Sequence, residues 1–225
     1  MDEAGFVEGA RALGLVLTRA QVDAFVAFES RLYEANRVMN LTRVPPEECW
    51  SRHFLDSLLF HDLIPQGSRV LDIGTGPGLP AWPLACARPD FSVVALDSSG
   101  KMIGFLRTQP LPNLKPQLGR AEADLERERF DVVTGRAVAP LAIQLELSAA
   151  ACRMGGLLLP LRTAHDAPEI ARLAAENPLG LRLEETVIRR VSGLDAERWC
   201  PVFRKVKHTP RLYPRSWAEI RRAPV

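Results

Sequence analysis

The chain has 225 residues, 47% of them hydrophobic and 25% charged, with a formal net charge of +2; this is the make-up of a soluble globular protein able to bury a sizeable core. No apolar run approaches the roughly twenty residues needed to span a bilayer, and the acidic start Met1-Asp2-Glu3 is unlike a signal peptide. Cys49, Cys86, Cys152 and Cys200 are scattered, with no CxxC pair and no ligand-like His spacing, which argues against a disulfide framework or a metal site and for a reducing cytoplasm.

Residues 1–62 read as a helical extension, separate in character from the remainder of the chain. Thr18 with Gln21 three residues on is a capping box, and Val22, Phe25, Val26, Glu29, Leu32 and Tyr33 then trace an amphipathic helix. Pro45-Pro46-Glu47-Glu48 opens a second helix, since proline is tolerated in a first turn and acids favour an N-terminus. Trp50, Phe54, Leu58, Leu55 and Leu59 line one side of it, while His53, Asp56 and Ser57 share a face. That face is either a semi-buried hydrogen-bonded pair or a surface turned towards a substrate.

From Arg69 the rhythm becomes alternating strand and helix, the pattern of a mostly parallel sheet covered on both faces. Strands are predicted near 69–73, 92–96, 114–118, 130–134, 156–161, 182–189 and 200–206, and helices near 79–88, 99–108, 140–152 and 166–176. The last two strands are separated only by the turn-like Ser192-Gly193-Leu194-Asp195, which predicts an antiparallel hairpin. The layout is thus a helical extension over 1–62, a sheet domain over 63–208 and a tail over 209–225 that reads as irregular after Pro210. From Arg198 onward Arg198, Arg204, Lys205, Lys207, Arg211, Arg215, Arg221 and Arg222 face one acid, Glu219, either a solvated surface or a nucleic-acid contact.

The centre of the sequence is the stretch from Arg69 to Asp97. The apolar run Val70-Leu71-Asp72-Ile73 breaks into Gly74-Thr75-Gly76-Pro77-Gly78, a helical pattern comes next, and a second apolar run ends at Asp97. Closely spaced glycines let the backbone turn sharply and leave room for a ligand, and an acid about twenty residues further on grips a ribose in nucleoside-binding sheets. A dinucleotide fingerprint needs a third glycine where Leu79 stands. The spacing Asp72-x-Gly74-x-Gly76-x-Gly78 suits S-adenosylmethionine instead, because Asp72 can attract its ammonium group. The simpler alternative is a crossover whose glycines only close a tight turn.

Ligands of open parallel sheets lie outside the carboxyl ends of the strands. After the third strand stands Gly119-Arg120-Ala121-Glu122, where a base can be held by the Ala121 backbone; after the fourth stands Arg136. Arg136 is either functional or paired with an acid such as Asp97 or Glu122. Lys101 lies in a first helical turn, where a cation is mildly unfavourable; it is either solvated or meets an anion. No nucleophile–base pair stands out. That fits methyl transfer from a sulfonium to a lone pair such as guanine N7, which needs positioning more than proton removal.

With these residues assembled, the chain resembles the bacterial 16S ribosomal RNA guanine-N7 methyltransferases of the RsmG (glucose-inhibited division protein B) family. The resemblance runs from about Asn40 to Val206, through Asn40-Leu41-Thr42, Arg52-His53-Phe54-Leu55-Asp56-Ser57-Leu58, Leu71 to Pro80, Leu96-Asp97-Ser98-x-x-Lys101, Arg120-Ala121-Glu122 and Phe130 to Ala137. It implies a class I, Rossmann-like fold: a seven-stranded mixed sheet with an N-terminal helical extension. It also implies a cytoplasmic, monomeric enzyme that uses S-adenosylmethionine on 16S ribosomal RNA or the small subunit, away from membranes. Cofactor contacts then fall to Gly74, Leu79, Ala121, Glu122 and Arg136, with Asp97 on the ribose; Asp72, Gly76 and Gly78 complete the turn. His53, Asp56, Lys101 and Arg136 are the polar groups expected near the target base.

Three positions depart from the family pattern. Ala81-Trp82 replaces Gly-Ile, Arg162-Thr163 replaces Lys-Gly, and Arg198-Trp199 replaces Arg-His, all expected on the substrate side. Acceptors other than RNA, or cofactor binding without turnover, are the competing functions.

Overall fold

The computed structural model describes residues 3–191 and 197–225. Among these, seven strands form one sheet: β1 (Arg69–Ile73), β2 (Ser92–Asp97), β3 (Leu114–Leu118), β4 (Phe130–Arg136), β5 (Cys152–Leu161), β6 (Leu181–Arg190) and β7 (Glu197–Lys205). Their order is β3-β2-β1-β4-β5-β7-β6. The first five run parallel, and β7 pairs antiparallel with both β5 and β6. The predicted hairpin is therefore present, while its turn at 192–195 lies outside the described residues. Strand order reverses between β1 and β4, which makes their carboxyl ends the place for a ligand.

The helices are α1 (Glu3–Ala12), α2 (Arg19–Met39), α3 (Asp56–Leu58), α4 (Ala81–Ala87), α5 (Gly100–Arg107), α6 (Leu141–Ala149), α7 (Ala167–Ala175) and α8 (Trp217–Arg222). Side chains of a strand alternate between faces, and the sheet uses this to build two cores. Val70, Val132, Leu157 and Leu159 join α1, α2, α4 and α5 on one side. Leu71, Ile73, Val133 and Leu158 join α6, α7 and α8 on the other.

The N-terminal helices lock onto the first core through aromatic rings. Phe28 stacks on Trp82 with centroids 4.3 Å apart, and Phe25 meets the same indole edge-on at 5.3 Å. Phe6, Trp50 and Phe54 extend the cluster. Trp82, expected on the substrate side, is a core residue that is 3% exposed. It replaces a smaller aliphatic side chain by filling the space between α2 and α4.

Two local expectations need correction. The helix predicted from Pro45 is a 3-10 turn at Pro46–Glu48, a π-helical stretch at Trp50–Leu55 and the short α3. The wider π turn still buries Trp50, Phe54, Leu55, Leu58 and Leu59 together, so packing overrides the regular α spacing. The tail, expected to be irregular, carries α8, because Ser216 and Glu219 form a capping box. Several basic residues counted as tail charge are paired within the fold. Arg204 pairs with Glu184 and Arg215 with Glu146, and the buried Lys205 Nζ donates to the Ala149 and Cys152 carbonyls at 2.6 and 2.9 Å. Lys207, Arg211, Arg221 and Arg222 remain exposed.

Candidate functional site

The turn after β1 is held open by backbone conformation. Gly74, Gly76 and Gly78 have φ of 64°, 57° and 107°, a region that side chains disfavour. A Cβ at Gly78 would also stand 2.5 Å from Leu106. Thr75 N–H donates to the Leu96 carbonyl at 3.0 Å, tying the turn to β2. Asp97 at the end of β2 then accepts from Gly76 N–H and Ser99 N–H, both at 2.8 Å. One carboxylate thus fixes the glycine turn and the start of α5 together. Each carboxylate oxygen has a further lone pair to offer.

Asp72 is fully buried. Its Oδ2 accepts from Ala81 N–H at 3.1 Å, and its Oδ1 makes no hydrogen bond. Burial pushes its carboxyl up to about 7, against the hydrogen bonds it accepts and the nearby Arg136 guanidinium. A buried carboxyl with an idle oxygen is suited to a cationic group, and this is the property that the ammonium of S-adenosylmethionine requires.

Beside the turn lies a cleft of about 340 Å³ lined by Ile73, Gly74, Leu96, Asp97, Ser98, Gly119, Arg120, Ala121, Glu122, Ala137, Val138, Leu147 and Trp217. It joins the carboxyl ends of β1, β2, β3 and β4. Of the expected cofactor residues, Gly74, Asp97, Ala121 and Glu122 line it. Asp72, Gly76 and Gly78 build the turn, and Leu79 is 4% exposed within the core. Apolar Leu96 and Val138 with the polar Asp97 and Glu122 fit a nucleoside.

A second cavity of about 430 Å³ is lined by Val44, Arg52, His53, Asp56, Arg136, Ala137, Leu161, Arg162, Thr163, Asp166 and Arg198. Ala137 belongs to both cavities, and it holds a left-handed φ of 53°, a strained conformation of the kind that clusters at functional sites.

Charge in the second cavity is organised by Asp56, which is 3% exposed. Its Oδ2 accepts from Arg136 Nη1 at 2.9 Å and its Oδ1 from Arg198 Nε at 2.6 Å. Arg136 therefore pairs with Asp56, not with Asp97 or Glu122. Arg136 Nη1 also donates to the Arg52 carbonyl at 2.9 Å, and Nη2 lies 3.3 Å from His53 Nδ1. A guanidinium has no acceptor, so His53 Nδ1 carries no proton and Nε2–H donates to Thr42 Oγ1 at 2.8 Å. Burial, reinforced by Arg136, lowers His53 to about 3, which favours its neutral form near pH 7.

Lys101 is not brought into either cavity. It is exposed, and its Nζ donates to the Asn40 carbonyl at 3.3 Å, linking α5 to the chain after α2. The two remaining departures border the second cavity, which Arg162, Thr163 and Arg198 line, and they also meet each other. Arg162 and Trp199 exchange backbone hydrogen bonds at 2.7 and 2.9 Å, and the Arg162 side chain, 7% exposed, donates to the Ala139 carbonyl at 2.8 Å.

Sequence reasoning gave no role to Trp217, and it named Thr42 only within a motif and Arg162 and Arg198 only as substrate-side departures or basic charge, without a site function. Thr42 had a signal in Asn36, whose Oδ1 accepts from Leu41 N–H and Thr42 N–H at 2.6 and 2.9 Å, but only the fold shows that this loop seats His53.

A family model described as rRNA small subunit methyltransferase G matches residues 21–190. Among curated relatives, the ribosomal RNA small subunit methyltransferase G of Lachnoclostridium phytofermentans is 37% identical, covering 100% of this chain and 98% of that protein. That of Caldanaerobacter subterraneus is 36% identical over 97% and 96%. Among solved structures, TYW2 of M. jannaschii in complex with AdoMet superposes with a TM-score of 0.55 at 16% identity, covering 67% of this chain and 75% of that one. This last likeness is one of fold.

Proposed function

This chain belongs to the rRNA small subunit methyltransferase G family, and from that we propose that it transfers a methyl group from S-adenosylmethionine to N7 of a guanine in 16S ribosomal RNA. The observation that carries the proposal is adjacency: Ala137 lines both a nucleoside-sized cleft and a second cavity rich in guanidinium groups. Methyl transfer needs the sulfonium and the acceptor nitrogen about 3 Å apart with nothing between them, and cavities that adjoin at one residue allow that contact where they meet. Bound in the first cleft, the cofactor supplies a methyl group already activated by its positive sulfur.

The chain's residues then hold and orient. Asp97 grips the ribose hydroxyls while keeping its two amide contacts. Asp72 Oδ1 takes the ammonium charge, and Ala121 and Glu122 meet the base. On the acceptor side Arg136 is aimed by Asp56, the Arg52 carbonyl and neutral His53. N7 carries a free lone pair, so no group has to remove a proton. The commitment of both Asp56 oxygens and of His53 Nδ1 to arginines is compatible with that chemistry. Arg52, Arg162 and Arg198 offer donors to phosphate or to base edges.

In this proposal residues 63–208 supply the cofactor side, and the acceptor side is shared between them and residues 1–62. A monomer suffices, since one chain builds both cavities, and a ribosomal substrate places the work in the cytoplasm. Phosphate contacts make RNA binding fall steeply with salt. The test is transfer of labelled methyl to small subunits from cells lacking the enzyme, with nucleoside analysis of the product. Label recovered as 7-methylguanosine supports the proposal; label confined to other nucleosides or to protein rejects it.

A further inference from the structure

We infer that Trp217 is a cofactor-binding residue, its indole forming an outer wall against which the adenine of S-adenosylmethionine stacks. The inference rests on the proposed cofactor site and assigns a role to the tail, which that proposal leaves unused. Trp217 lines the nucleoside cleft together with Asp97, Ala121, Glu122 and Leu147. These belong to the segments after β2 and β3, where the base is expected, and to α6.

The indole is held there by a built support. Ile220, one turn further along α8, is fully buried in the core beneath α6 and α7. Arg215 is paired through its Nε at 2.9 Å with Glu146, a carboxylate that is itself 0% exposed on α6. Arg215 Nη2 also donates to the Ala223 carbonyl at 2.9 Å, and Arg172 Nη2 to the Val225 carbonyl at 2.7 Å. Both ends of α8 are therefore pinned. Within this anchored helix Trp217 alone presents a large ring to the cleft, and it stays 37% exposed. A flat apolar surface at the rim of a nucleoside cleft gains contact area and ring stacking when a base covers it.

The test compares wild type, Trp217→Ala and Trp217→Phe by calorimetric titration with S-adenosylmethionine, S-adenosylhomocysteine and adenosine. Stacking on the base predicts that Trp217→Ala weakens all three ligands by the same factor, about tenfold on the scale of base–aromatic stacking, and that Trp217→Phe retains most of the affinity. Indole fluorescence reads the contact alongside the signal of Trp50, Trp82 and Trp199: the change wild type shows on adding S-adenosylhomocysteine is largely lost in Trp217→Phe. This second variant decides the matter if Trp217→Ala folds poorly. Unchanged affinity in Trp217→Ala, or a fluorescence change as large in Trp217→Phe as in wild type, overturns the inference alone. No binding by wild type overturns it together with the cofactor site.

Discussion

Arg136 and Asp56, 80 residues apart in sequence, meet at 2.9 Å between Nη1 and Oδ2, with side chains only 19% and 4% exposed. This pair joins the carboxyl end of the central strand β4 to the N-terminal helical extension. The same carboxylate holds Arg198 through its other oxygen, so one acid sets the positions of two guanidiniums in the second cavity.

Asp56→Asn removes the negative charge that both arginines face. Breaking a buried pair leaves unpaired charge behind, and unfolding free energy should fall by about 3 kcal/mol, read by urea titration. Turnover should fall as well, because Arg136 loses its orientation.

Arg136→Lys keeps the charge but cannot reach Asp56, the Arg52 carbonyl and His53 together. Loss of positioning at the acceptor predicts a fall in kcat on the order of a hundredfold. Cofactor affinity, measured by calorimetry, should fall far less.

Asp97→Ala should act on the other side. Gly76 and Ser99 amides lose their acceptor, and the ribose loses its carboxylate. The Kd for S-adenosylmethionine should rise by about tenfold or more, with little change in the affinity for RNA.

Asp72 makes stability depend on pH in a definite direction. Its folded value of about 7 lies above its ordinary 3.8, so the folded state holds the proton more tightly than the unfolded state. Between about pH 4 and pH 7 this linkage lowers stability as pH rises, by on the order of 4 kcal/mol in full. Asp72→Asn should therefore raise the melting temperature at pH 8 and change it little at pH 4. In wild type, S-adenosylmethionine affinity should increase as pH rises through 7, since the ammonium favours the charged carboxylate. His53 acts in the opposite sense. Its value is lowered from 6.5 to about 3, so stability falls as pH drops below 6.5, and comparing Asp72→Asn with wild type separates the two.

What the sequence made legible was local. The glycine spacing, the acid at the end of β2 and the alternation of strand with helix arise from backbone needs that neighbouring residues satisfy, and they gave the sheet and the glycine turn tied to Asp97. Long-range partnerships were not legible. Nothing near Arg136 points to Asp56, and nothing near Trp82 tells a core indole from a substrate contact until Phe28 is placed against it. The π-helical stretch at Trp50–Leu55 leaves no mark in the apolar spacing, since Trp50, Phe54 and Leu55 are buried on it as they would be on an α-helix. The Ser216–Glu219 capping box was readable, but the surrounding prolines and arginines masked it.

The most direct measurement is a crystal structure of the protein with S-adenosylhomocysteine. The prediction is a ligand in the cleft beside Gly74, its ribose hydroxyls within hydrogen-bonding distance of Asp97 and its sulfur turned towards Ala137. A structure with that cleft empty and the ligand bound elsewhere would contradict the assignment of this chain's cofactor site.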